Sequence, residues 1–335
     1  MKGFKMTPNY SRVSALQGRP TSSWLPVLFV VFCCVPAMAQ PLAYVPNQGE
    51  TSVAAIDTAT KTVVATVEIG LRPFGGAVTP DGTRAYIPAS DGRCSALVVI
   101  DTSTNTVSGS VPVDSPPWQV AIMPDNSIVY ATSPFTNSVF VIDRSSNTVV
   151  DTIPVGTRPF GIAIAPDGAF AYATNQDSNT VSVIDTETNS VVASIEVGMT
   201  PNGIAVSPRG DRLYVTNLGS ACVSVIKAKH HRVIDCVPVG ASPFNVALTP
   251  DGDFAYVTNG GGTTVSVIKT KHNTVVALVE AGARPSGIAI TPDGSTAYVS
   301  NINSANVSVI DTASNTVVQT IKVGISPSWV AMSPF

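Results

Sequence analysis

Seven tyrosines mark this sequence at nearly even spacing: Tyr44, Tyr86, Tyr130, Tyr172, Tyr214, Tyr256 and Tyr298. The intervals are 42, 44, 42, 42, 42 and 42 residues. Each tyrosine lies in a variant of one pentapeptide: AYVPN, AYIPA, VYATS, AYATN, LYVTN, AYVTN and AYVSN. The longer interval has a visible cause. ASDGRCSALVVI in the second unit holds two extra residues between the tyrosine and the next strand. A fixed period of this length is the signature of a repeat architecture.

Every unit reads alike. The tyrosine strand comes first, followed by a polar loop and then VSVID, which alternates with period two. A TATN-type turn leads to a β-branched run such as TVVATVEIG, and Pro opens a last short strand such as PFGIAIAPDG. No window holds a helical period for long. Four strands per unit with frequent turn signals predict an all-β repeat. The turns have mechanisms. In TPDG, Pro presets φ at the second position, Asp suits the third and Gly relieves the exit. In IDTATK, Asp57 can accept hydrogen bonds from nearby backbone N–H groups and seed the hairpin.

Stacking such units side by side buries a continuous apolar layer, and a ring removes the exposed ends. Seven units predict a seven-bladed β-propeller with four-stranded blades. The two ends of the chain are complementary. The first AYVPN has no inner strand before it, and the last run, PSWVAMSPF, has no AYVTN after it. The C-terminal strand should therefore pair with the three N-terminal strands in one composite blade. An open solenoid would leave both end strands unpaired.

The set YVTN, TVSVID, TNTVV, VG-x-x-P-x-GIA and SPDG resembles the YVTN-family β-propeller repeat of secreted and surface proteins of bacteria and archaea. It is also similar to seven-bladed lactonase-like propellers. The resemblance covers Ala43 to Phe335. It implies fold more than activity, because propellers host many unrelated functions.

Residues 1–39 differ from the rest. Lys2, Lys5, Arg12 and Arg19 precede the apolar run WLPVLFVVFCCVP, and AMA supplies small residues before Gln40. This is the plan of a secretory signal peptide, leaving residues 40–335 as the propeller. The apolar run is short for a membrane span; an uncleaved anchor is the alternative. Cys33 and Cys34 lie inside it without the small residues a lipid-anchored start needs. Losing four basic residues and no acid takes the net charge from −3 to −7. Nucleic acid and anionic membrane are therefore not expected partners. The expected location is secreted, periplasmic or cell-surface, and the expected state is a monomer.

In a propeller of this kind, PFGIAIAP would be innermost and TVVATIPVG outermost. The loops entering the inner strands then gather around the channel mouth. They bring Arg72, Arg158 and Arg284 to the position before Pro, and Phe74, Trp118, Phe160, Phe244 and Trp329 close by. Guanidinium binds carboxylate or phosphate bidentately and stacks on rings. This rim suits an anionic or planar ligand. The plainer alternative is that the aromatics plug the channel and the arginines are solvated.

The mouth loops contain one acid, Asp114, and no histidine. The lactonase resemblance implies a divalent metal centred on carboxylates and Asn near the channel. Asn202 and Asn245 alone make a poor hard-cation site, so no metal site is expected. No C-x-x-C-H or G-x-S-x-G occurs, and no cofactor is expected.

Of the cysteines beyond the leader, Cys222 and Cys236 begin and end one hairpin and are expected to face each other across it. A disulfide there requires a non-hydrogen-bonded pair. Cys94 remains as the unpaired thiol. The sharpest break in the repeat is at the turns opposite the mouth. Five units carry Asp57, Asp101, Asp143, Asp185 and Asp311, whereas units five and six carry lysine. Lys227, Lys229, Arg232, Lys269 and Lys271 then form a basic patch, with His230 and His272 beside it. It suits an acidic glycan, cell-wall polymer or protein; ordinary solvated charge is the alternative.

The reading is a binding scaffold rather than an enzyme. Two rivals remain: a channel-mouth enzyme of the lactonase-like class, and a redox accessory whose arginines hold a quinone cofactor's carboxylates.

Overall fold

The computed structural model describes residues 41–334. The segment read as a leader lies outside them. The strands form seven antiparallel sheets, each joining the last strand of one repeat to the first three strands of the next. In blade four, Pro159–Ile164 is innermost, followed by Phe170–Asn175, Thr180–Asp185 and the outermost Ser190–Glu196. The tyrosine strand is second in every blade, as its repeated pentapeptide predicts. The second and third strands are buried nearly throughout, and the fourth is mostly exposed. Three inner strands depart from the pattern. That of blade one is cut to Ala331–Met332. That of blade two is split into Arg72–Pro73 and Ala77–Val78, and that of blade three is cut to Val120–Ile122.

The ring closes in blade one. Its sheet runs Ala331–Met332, Leu42–Asn47, Ser52–Asp57 and Thr62–Glu68. Ala43 pairs with Met332 and Tyr44 with Ala331. The apolar layer between blades seven and one joins Ala43, Val45 and Ile56 to Val307, Val309 and Ile321. Six other clusters of the same kind fill the remaining interfaces. Packing between sheets is thus the core of the molecule.

The repeated pentapeptide holds the blades together through its side chains. The tyrosine ring is buried between blades, and its hydroxyl reaches the next blade's hairpin turn. Tyr44 donates to Asn105 Oδ1 at 2.7 Å, Tyr130 to Asn189 Oδ1 at 3.0 Å and Tyr256 to Asn315 Oδ1 at 2.7 Å. These asparagines sit in left-handed backbone, with φ between 50° and 54°, which Asn tolerates better than most residues. TATN-type turns therefore need Asn twice, for the turn and for the neighbour's hydroxyl. Where blade one has Lys61 instead, Tyr298 donates to the Thr58 carbonyl at 3.0 Å. The threonine also bridges two blades. Thr174 Oγ1 accepts from Gly161 N–H at 2.8 Å and donates to the Asn202 carbonyl of the next blade at 2.7 Å.

The asparagine that ends the pentapeptide ties strand to strand within its own blade. Asn175 and Asn259 donate to hydroxyls on their own third strands, Thr180 and Ser182, and Thr264 and Ser266. Its amide fills the space over the glycine of the VG pair. A Cβ on Gly240 would lie 2.5 Å from Asn259 Cγ, so glycine is required there. The glycine of PFGIA is required where inner strands converge on the channel. A Cβ on Gly161 would fall on the Asn202 carbonyl oxygen.

Turn chemistry follows the sequence. Asp57 Oδ1 accepts from Ala59 N–H at 2.8 Å and Thr60 N–H at 2.9 Å. Lys227 cannot do this, and the blade-five turn closes instead as a 3-10 turn over Ala228–His230 without a side-chain cap.

Two outcomes follow from the tyrosine contacts. Tyr256→Phe keeps the ring and loses the hydrogen bond, so urea unfolding should show a loss of about 1 kcal/mol. Burial pushes the Tyr256 and Tyr298 hydroxyls up to about 12. The unfolded chain releases these protons near pH 10. Their stabilising effect is complete below pH ~10 and is lost as pH rises from there through about 12. The fall in melting temperature across this window should be shallower in Tyr256→Phe than in the parent protein.

Candidate functional site

The loops entering the inner strands do gather on one face. They share it with the loops after the tyrosine strands, to which backbone bonds tie them. Gln176 N–H donates to the Arg158 carbonyl at 3.0 Å, and Ile302 N–H to the Arg284 carbonyl at 3.1 Å. One repeat position, the residue after the mouth proline, supplies Phe74, Trp118, Phe160 and Phe244 from blades two, three, four and six. Their rings form a chain around the channel. Centroids lie 5.2 Å apart for Phe74 and Trp118, 5.2 Å for Trp118 and Phe160, and 5.7 Å for Phe160 and Phe244. These are favourable aromatic separations. Trp329 joins them from blade one, one residue further along its loop.

The five aromatics line a cavity of about 150 Å³. Gln48, Gln119, Ser286 and Ser328 add polar groups, and Ile302 an apolar one. Three of these polar side chains are held in place, Ser286 by donating its Oγ–H to the Ser328 carbonyl at 2.8 Å. Gln119 Oε1 accepts from Gly76 N–H at 3.2 Å, and Ser328 Oγ donates to the Phe74 carbonyl at 2.6 Å. A second hollow of about 190 Å³ shares Phe244, Arg284, Ser286 and Ile302 with the first.

The three mouth arginines separate. Arg284 lines both hollows. Arg72 donates through Nε to the Gln48 carbonyl at 2.9 Å, and Arg158 Nη1 lies 3.8 Å from Asp177 Oδ1. Neither lines the aromatic cavity. Arg158 and Arg284 both have φ of 57°, a conformation that costs of order 1 kcal/mol or more away from glycine. For Arg158 the amide is fixed by Asn137 Oδ1 of the preceding blade at 2.9 Å.

The cavity lining contains no carboxylate and no imidazole. Asn202 is fully engaged, receiving Gln176 Nε2 at 2.6 Å and donating to the Phe244 carbonyl at 2.8 Å. Among the described residues, no group of three His, Cys, Asp or Glu is placed to hold a metal ion, and no helix is long and apolar enough to cross a membrane.

On the opposite face, Lys227, Lys229, His230 and Arg232 are exposed in blade five, as are Lys271 and His272 in blade six. Lys269 is not a free member of this patch. Its Nζ lies 2.8 Å from Asp253 Oδ2 and 4.0 Å from the Phe254 ring centre. His231 occupies the left-handed turn position and meets Phe170 edge-on at 6.2 Å.

Cys222 and Cys236 form a disulfide with an S–S distance of 2.13 Å. They are not directly opposite, as the hairpin spacing suggests. Cys222 faces Pro238, and Cys236 faces Ser224: the turn already sets Lys227 opposite Arg232, one residue off the register that would align the cysteines, and a register shift at Val225/Ile226 adds another. The bridge is diagonal, with Cα atoms 5.8 Å apart. Cys94 is free and exposed.

Gln48, Gln119 and Ser328 were not singled out from sequence. Gln119 and Ser328 stand beside the mouth prolines, where the repeat varies most, and that variation is the signal that marks them.

The sequence model of the family described as Lactonase, 7-bladed beta-propeller, matches residues 84–194 and 193–332. Among curated proteins, no sequence matches the chain. Solved structures with the same architecture include the hydrazine synthase of Kuenenia stuttgartiensis, at 26% identity and TM-score 0.71, covering 78% of this chain and 90% of that one. A functionally unknown protein of Desulfotomaculum acetoxidans superposes with TM-score 0.77 at 19% identity, covering 87% and 98%. A putative 6-phosphogluconolactonase of Bacteroides uniformis gives TM-score 0.74 at 16% identity, covering 88% and 99%. The last two likenesses concern fold alone.

The cysteines offer a direct check. In protein spanning residues 41–335, one thiol should react with Ellman's reagent in denaturant, and three after reduction. The bridge closes a loop with a sequence separation of 14. Cys236→Ser should lower unfolding free energy by about 2–3 kcal/mol, read as a lower urea midpoint without reductant.

Proposed function

The chain belongs to the seven-bladed β-propeller lactonase family, and from that premise we propose that it is an exported, monomeric binding protein whose channel mouth takes a small planar anion. One observation carries this reading. Four aromatic rings in mutual contact border a cavity of about 150 Å³, and a single guanidinium, that of Arg284, lines it. The rings supply apolar faces for a flat ligand, and guanidinium supplies paired donors for its carboxylate. Gln48, Gln119, Ser286 and Ser328 add neutral hydrogen-bonding groups.

Lactone hydrolysis, which the family name suggests, would draw on a base or metal-ligating carboxylates near the substrate. The residues lining this cavity offer neither, so the binding role is preferred. Export is inferred from the basic, apolar and small-residue order of the first 39 residues, and a disulfide is consistent with an oxidising compartment.

The sequence provides its own reporter. Only Trp24, Trp118 and Trp329 occur in the chain, and the last two line the cavity. Benzoate titrated into protein spanning residues 41–335 should change tryptophan emission saturably. Arg284→Ala should weaken the response at least tenfold, and Trp118→Ala should abolish most of it. Benzyl alcohol, which lacks the charge, should respond far more weakly. No saturable change with benzoate, or equal responses in parent and Arg284→Ala protein, would refute the reading. Turnover of glucono-δ-lactone by the purified protein would favour the enzymatic one.

A further inference from the structure

The face opposite the aromatic cavity holds another hollow, of about 250 Å³, between blades five and six. Arg209 and Arg212 line it from blade five, and Lys271 from blade six. The repeat supplies an internal comparison. A corresponding hollow lies one step further round, between blades six and seven. Residues 42 positions apart occupy equivalent places. Arg209 is matched by Asp251, Arg212 by Phe254 and Lys271 by Ala313. The hollow between blades six and seven is lined by Asp251 and Asp293 and by no cation. The same strand-and-turn framework thus presents cations at one interface and carboxylates at the next. Hydrogen bonds from the Thr249 and Thr291 hydroxyls hold Asp251 and Asp293 below the usual carboxylate range, so both are charged at neutral pH.

Two carboxylates also border the cationic hollow, Asp211 and Asp253, and both are engaged. Asp253 is paired with Lys269 at 2.8 Å, and Asp211 accepts the Ser207 hydroxyl at 2.8 Å. That second bond marks a change in the turn. In blade six the equivalent hydroxyl, of Thr249, goes to Asp251, the third turn residue, at 2.6 Å. In SPRG the third residue is Arg209, and Asp211 takes over the role. The turn is closed without Arg209, whose side chain is left exposed. Arg212 is fixed in place, donating through Nη1 to the Thr270 carbonyl across the interface at 2.9 Å. The adjacent hairpin with Lys229 and Arg232 is stapled by the Cys222–Cys236 disulfide.

We propose that this hollow binds a tetrahedral oxyanion, the phosphate or sulfate group of an ester. Two guanidiniums and an ammonium supply more donors, and more charge, than one carboxylate can use. A phosphate or sulfate offers three oxygens to meet them. Lys229 and Arg232 extend the positive field toward incoming anions, with an effect that salt screens. This site is separate from the aromatic mouth and does not depend on that reading.

The test uses protein spanning residues 41–335 and calorimetric titration at low ionic strength with glucose 6-phosphate, glucose 6-sulfate and glucuronate. Inorganic phosphate serves as the bare anion. The variant Arg209→Asp/Lys271→Ala installs the residues of the neighbouring hollow, which the fold already accommodates at that position. Circular dichroism melting should confirm that it folds. At least one ester should bind saturably, more tightly than glucuronate, and weaken on adding 0.5 M sodium chloride. The double variant should lose at least tenfold in affinity, whereas Trp118→Ala should bind the ester unchanged. Which ester binds more tightly identifies the source of the anion. Absence of saturable binding by both esters, equal affinity in the double variant, glucuronate binding as tightly as the esters, or loss of binding in Trp118→Ala would each overturn the proposal.

Discussion

Hydroxyl groups passed from one blade to the next hold this ring in register. Each interface is an apolar layer, and apolar contact alone is non-directional. Two sheets joined only by valine and isoleucine could slide by a residue pair with little penalty. Tyr256 reaching Asn315 and Thr258 reaching the Ser286 carbonyl remove that freedom. One contact acts near the outer turn and the other near the channel, so tilt and translation are both fixed. The bonds are individually modest. Their value lies in the penalty for any arrangement that leaves a buried hydroxyl unpaired.

This arrangement also decides where function can reside. Strand positions are committed to the interfaces, and the innermost glycines are committed to close approach around the channel. Change is tolerated at the mouth residues and at the turns of the opposite face. At the mouth, one repeat position reads Phe, Trp, Phe, Asn, Phe, Ser and Ser around the ring. Asn202 is consumed in bracing its neighbours, and the aromatics become the wall of a cavity. On the far side, exchanging Asp for Lys removes an intramolecular acceptor that closes the hairpin. Blade five compensates with a 3-10 turn, and blade six ties its lysine to Asp253.

The architecture was legible because it depends on periodic features. Spacing of the tyrosines, the Asp-seeded turns and the complementary chain ends led to seven blades and to the position of the seam. Contacts that depend on register were harder to read. The cysteines of the blade-five hairpin are displaced by the position of the turn and by a bulge, neither of which a local pattern announces. Nothing in the pentapeptide shows that the amide of its asparagine reaches hydroxyls of the third strand. The mouth arginines look equivalent in sequence, but partners on other loops, Gln48 and Asp177, draw two of them away from the cavity. Arg209 replaces the aspartate of the TPDG turns in SPRG, a change the sequence leaves isolated. Only the fold brings it to the same hollow as Lys271 of the next blade.

The composite blade bears on how such a chain can change in length over generations. Its first and last strands meet in one sheet, so the junction between the chain ends is independent of the number of repeats between them. A duplication or deletion of one complete unit leaves that junction intact and sets each repeated tyrosine and threonine against the equivalent position of its new neighbour. What it alters is the wedge angle each interface must supply to complete the circle. The limit on blade number therefore lies in side-chain volume along the inner strands, where a glycine or a tryptophan such as Trp329 decides how closely neighbours converge. A family built this way can lose or gain a unit by recombination and still begin as a closed ring, with divergence left to the loops.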